Sequence, residues 1–228
     1  MNQFKHAWTF YINNWQYFLM LAAPVMGIEV ITAYLILPVQ SFTQPEDILD
    51  FFSSNGALIG LVSFFGTLLS ISFIGGLYVS YEVKDKGENI DPLNALLAGF
   101  KKFLPLFGAY LLCSIAVFFS AFLLILPAFY IAGRFSLFPA LMMLEDKRVM
   151  DSLKLSWDKT DEHGGILFGL TLLFFSITLA LASIFQSLLD PGIGQLVVLA
   201  IIEYVVVIPW GYVYFLSLIH ISEPTRPY

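Results

Sequence analysis

Three ionisable residues stand inside long apolar runs: Glu29, Arg134 and Glu203. A charge at mid-bilayer costs at least ~2.5 kcal/mol on insertion scales, so such a residue faces a partner or a cavity. Counted from one end of their runs, the three lie about 6–10 residues in, or roughly 9–15 Å at 1.5 Å per residue. The spacing therefore predicts one cluster, with Arg134 paired to Glu203, Glu29 or both. A structural ion pair that fixes helix packing is favoured over a substrate or proton site. Pro24, Pro139 and Pro209 interrupt the same three runs. A mid-helix proline frees a carbonyl and kinks the helix. Broken helices beside charges are also how transporters build binding sites.

Other chemistry finds little support. There is no phosphate-cradling Gly-rich loop, no His-Glu-x-x-His and no nucleophile elbow. The single cysteine, Cys113, excludes an internal disulfide framework and a Cys-based zinc site. His6 and His163 are too few to build a metal site. Glu46, Asp47 and Asp50 lack the spacing of a calcium loop. Asp158, Asp161, Glu162 and His163 come nearest to a polar constellation, and they read as a solvated loop. The expectation is a non-enzymatic chain without cofactor or metal. No basic patch suggests nucleic acid.

The elements that position these residues follow from composition. Of 228 residues, 58% are hydrophobic and 12% charged, against roughly 25% charged in a soluble domain. Such a chain cannot cover itself with polar surface, and lipid removes that need. Runs near the ~20 residues needed to cross a bilayer fall at about 17–39, 57–81, 106–126, 128–144, 166–189 and 196–215. Pro127 marks the expected turn between the third and fourth. The reading is an all-α, six-helix transmembrane bundle in one domain. Lys5, Lys84, Lys86, Lys101, Lys102, Lys147, Arg148, Lys154 and Lys159 all fall on one side of it, while the segment QSFTQPEDILDFFSSN on the other side is acidic. The positive-inside rule puts the basic side, and with it both termini, in the cytoplasm.

A short amphipathic segment precedes each pair of spans: NQFKHAWTFYINNW, DPLNALLAGFKKF and KRVMDSLKLSWDKT. Each carries a small residue and then an aromatic: Ala7-Trp8, Gly99-Phe100 and Ser156-Trp157. Trp8, Phe100 and Trp157 are expected to anchor helices lying in the headgroup layer, or to contact anionic lipid there. The architecture reads as three repeats of interfacial helix plus transmembrane hairpin. Gly56/Gly60, Gly165/Gly169 and Gly75-Gly76 suggest close helix packing.

The end of the chain is set apart. Residues 216–226 read LSLIHISEPTR, the translation of a transposase adapter used in sequencing libraries. The expectation is that 216–228 are not native and that the membrane domain is residues 1–215.

The segment LPAFYIAGRFSLFPALMMLEDKRVMDSLKLSWDKT resembles the YciC-like family of bacterial inner-membrane proteins. More distantly, it resembles the membrane domain attached to some glycerophosphodiester phosphodiesterases. Pro127, Pro139, Asp146 and the Ser156-Trp157 helix carry the resemblance, which extends roughly over residues 58–215. It implies an inner-membrane module without catalysis of its own. Membrane lipids are the expected partners, in a lipid-interacting or envelope-maintenance role. The alternative is a small transporter or permease using Glu29, Arg134 and Glu203.

Overall fold

A computed structural model describes residues 2–222, and these are helical apart from short connections. The helices are α1 (Asn2–Asn13), α2 (Trp15–Ile36), α3 (Pro45–Asp85), α4 (Pro92–Lys101) and α5 (Phe103–Leu123). They continue with α6 (Ile125–Arg134), α7 (Phe138–Leu144), α8 (Val149–Lys159), α9 (Gly164–Leu188) and α10 (Ile193–Ser222). Six stretches are long and apolar enough to cross a membrane: Trp15–Ser41, Pro45–Asp85, Phe103–Phe122, Ile125–Leu144, Gly164–Leu188 and Ile193–Ser217.

These match the expected spans, with differences at their ends. Helix α3 runs for 41 residues and absorbs most of the acidic segment. Pro45 opens it, and Glu46 and Asp47 lie in its first turn. A proline there lacks only an N–H that would be unpaired anyway, and acids suit the positive end of the helix dipole.

The prolines behave differently from expectation. Pro24 and Pro209 lie inside continuous helices and do not break them. Membrane helices tolerate this because neighbouring helices and local adjustments satisfy the freed backbone. The turn between α5 and α6 falls at Leu124, which is extended, rather than at Pro127. Pro127 sits in the first turn of α6, where the missing N–H costs nothing. Only Pro139 marks an interruption. The fourth span breaks between Arg134 and Phe138, and Pro139 opens α7 just beyond the break.

The buried residues crowd toward the basic end. In α2 they are Phe18, Leu21, Ala22 and Val25, and in α9 they are Gly164, Leu167 and Thr171. The opposite halves of α2, α3 and α9 carry almost no buried side chain. At the basic end, Tyr81, Tyr212, Phe10, Phe18 and Phe215 form one aromatic cluster, with Phe10 and Tyr212 stacked at 3.9 Å.

The three short helices α1, α4 and α8 dock through their small residues. Ala7 and Ser156 are fully buried, and Gly99 is buried. Trp8, Phe100 and Trp157 beside them stay 36%, 49% and 37% exposed. Helix α1 packs on α10, α4 on α3, and α8 on α7. The apolar stripe Leu93, Leu97 and Phe100 faces outward, while Ala95 and Gly99 face α3. Burial in water would favour the reverse arrangement. In lipid an apolar stripe is not driven inward, and small residues permit close backbone approach.

The glycines divide accordingly. Gly56, Gly60, Gly165 and Gly169 face open space, so the packing expected of them is absent. Gly75 and Gly76 do pack closely: a Cβ on Gly76 would lie 2.6 Å from the Ala95 carbonyl oxygen. The residues of the suspected tail continue α10 through Ser222, with Leu216 buried in the core. Residues 223–228 lie outside the described residues.

Candidate functional site

Arg134 ends α6 at the break in the fourth span and is only 2% exposed. A buried guanidinium needs partners for most of its five N–H donors. Nε donates to Thr160 Oγ1 (2.9 Å) and Nη1 to the Tyr130 hydroxyl (2.8 Å). Nη2 donates to the Trp157 carbonyl (2.6 Å) and to Asp161 Oδ1 (2.9 Å). The guanidinium also lies 4.3 Å from the centroid of the Trp157 ring, a favourable cation–π placement. In return, Ser156 Oγ donates to the Arg134 carbonyl at 2.8 Å. The node thus ties the end of α8 to the broken span.

None of the Arg134 hydrogen bonds reaches Glu29 or Glu203, so the expected ion pair is replaced. The two glutamates lie within electrostatic range of each other. The Tyr204 hydroxyl donates to Glu29 Oε1 at 2.7 Å, and Ser70 lies beside the same carboxylate. The Glu203 side chain is exposed on the bundle surface, near the middle of its span. Trp157, expected as an interfacial anchor, holds Arg134 through both its carbonyl and its ring. Trp8 packs edge-on against Tyr11, and Phe100 stands exposed.

Asp146 has a role that spacing did not suggest. It takes a positive φ of 53° in the turn after α7, a conformation in which Asp and Asn are enriched. Its carboxylate accepts a hydrogen bond from Lys102 Nζ, which also donates to the Met142 carbonyl at 2.7 Å. The Lys102 hydrogen bond, and then its charge, hold the Asp146 carboxyl below its ordinary value of 3.8. A carboxyl lowered by folding contributes stability above its unfolded value and loses it as pH falls through the folded one. Acid titration of the thermal midpoint should therefore fall less steeply below about pH 4 in Asp146→Asn than in the parent. Identical slopes would show that this contact adds nothing.

A cavity of about 680 Å³ opens among α3, α5, the break in the fourth span, α9 and α10. This is within the usual size of a small-molecule site, roughly 300–1,000 Å³. No charged side chain lines it; Glu29, Arg134 and Glu203 all lie elsewhere. Its polar groups are Tyr78, Tyr110, Ser114, Ser136, Tyr214 and the indole of Trp210. Phe118 and Phe175, 66% and 50% exposed, stand at its rim. Pro139, expected as a helix break, lies in its wall together with Cys113. Sequence reasoning missed this site because its polar members are uncharged hydroxyls and one indole, scattered over α3, α5, the break in the fourth span and α10. The one available signal was Pro139 near the end of the fourth run.

No protein-family model matches this chain, and no curated protein or solved structure matches it. The class of protein follows from the helices alone: this is a multi-pass integral membrane protein.

Proposed function

We propose that this protein is a non-enzymatic component of the bacterial inner membrane that holds a lipid in its interhelical cavity. The observation that carries the reading is the cavity itself: about 680 Å³, uncharged, and rimmed by exposed phenylalanines inside a membrane-spanning bundle. The resemblance to the YciC-like family supports the location. The lysines gathered at one end support a cytoplasmic N-terminus and native C-terminus. The matching docking of Ala7, Gly99 and Ser156 supports three repeated units, each an interfacial helix with a hairpin.

Native mass spectrometry of the full chain extracted from bacterial membranes tests the reading. The parent should retain lipid at about one per chain, and Val117→Trp, which fills the cavity, should lose it. Equal retention in both proteins would place the lipid elsewhere. The transporter alternative rests on Glu29 and Glu203. It predicts that Glu203→Gln abolishes a proton-coupled flux in vesicles, whereas the lipid-holding reading predicts no such flux.

A further inference from the structure

The lining of the cavity also specifies what kind of lipid fits. No charged side chain faces it. A phosphate or ammonium headgroup there would lie without a counter-charge in a medium of low dielectric constant, which is costly. Two buried polar atoms in the lining, Ser136 Oγ and Trp210 Nε1, make no aligned hydrogen bond among the described residues. Trp210 is only 4% exposed, and an indole N–H can donate but never accept. The Tyr214 hydroxyl lies beside that nitrogen; it donates its own hydrogen to Thr171 Oγ1 at 2.7 Å and keeps oxygen lone pairs that the indole can use, so Ser136 Oγ is the lining atom left in want of a partner. Ser136 sits in the break between α6 and α7. The nearby Tyr78 hydroxyl reaches the Ser136 carbonyl at only 3.5 Å, at the limit of a hydrogen bond. A buried donor left without an acceptor is destabilising, so native proteins rarely keep one.

Resting on the lipid-holding reading, we propose that the cavity takes an uncharged lipid whose polar end is a hydrogen-bond acceptor, with a carbonyl oxygen accepting from Ser136 Oγ. The apolar tail leaves past Phe118 and Phe175 into the bilayer. An ester carbonyl of a diacylglycerol and a carbonyl of a lipid quinone present the same chemistry.

The test is titration of the purified full chain, by native mass spectrometry, with dioleoylglycerol, decylbenzoquinone and dioleoyl phosphatidylglycerol in parallel. At least one neutral probe should bind one per chain at lower concentration than the phospholipid. Binding of only one neutral probe identifies the source of the carbonyl. Ser136→Ala should weaken that binding roughly three- to tenfold, the loss expected for one hydrogen bond. Ser136→Ala removes a single oxygen that no other residue holds, so the fold should survive it. Preference for phosphatidylglycerol, or unchanged affinity in Ser136→Ala, overturns the proposal. If only phospholipid binds, and Val117→Trp abolishes that binding, the lipid-holding reading stands and the neutral-lipid inference falls. If no probe binds, both fall.

Discussion

Arg134→Leu should destabilise the folded protein by roughly 2–4 kcal/mol, because it strips partners from a buried polar node. The substitution leaves the Trp157 carbonyl and the Tyr130 hydroxyl without the donors they now have, and it removes the cation from the Trp157 ring. It also releases the end of α8 from the broken span. Arg134→Lys separates charge from shape. It keeps the cation, but a point charge cannot reach Thr160, Tyr130 and Asp161 together. It should recover part of the loss and no more. Asp161→Asn should cost less than about 1 kcal/mol, because the Asp161 side chain is 76% exposed and such pairs are worth little. Thermal midpoints in detergent give the order. If Arg134→Leu melts with the parent, the node does not hold α8 in place.

Gly99→Ala is the second large effect. A Cβ at Gly99 would lie 1.9 Å from the Ser72 carbonyl oxygen and 2.8 Å from the Gly76 nitrogen. Both are backbone atoms, so no side chain can swing aside, and α4 must move away from α3. The expected cost is about 2–3 kcal/mol, at the upper end of overpacking effects. Gly56→Ala and Gly169→Ala are the matched controls, since nothing lies within 4 Å of a Cβ at either position. They should be neutral, or stabilising by up to about 1 kcal/mol, because alanine favours the helix over glycine. Three equal midpoints would mean that the α3–α4 contact is not tight.

The sequence made some of this legible and hid the rest for identifiable reasons. The spans were legible because length and missing charge are one-dimensional properties. The electrostatic proximity of Glu29 and Glu203 follows counting along their helices, both of which run unbroken. Arg134 defeated the same counting. Its span breaks immediately after it, and α8 folds back so that Trp157, Thr160 and Asp161 meet the guanidinium. Counting along a straight helix cannot anticipate a partner that arrives from a folded-back segment. The small-aromatic pairs fall on α1, α4 and α8, but the side each helix buries was hidden. In water the apolar stripe would decide it; here Ala95 and Gly99 do. Glycine spacing alone misled, because Gly56/Gly60 and Gly75-Gly76 look alike until a facing backbone is known.

The gathering of buried side chains at the basic end has a consequence for how the protein responds to its solvent. Over the other half of α2, α3 and α9 few side chains are buried, so in a bilayer the acyl chains of that leaflet would complete the packing. The two leaflets then make unequal claims on stability. Changing chain length or unsaturation should shift helix tilt and spacing in the loosely packed half, while the aromatic cluster around Tyr81 and Tyr212 stays fixed. The protein would thus register bilayer thickness from one side only, as a hinge anchored at its base.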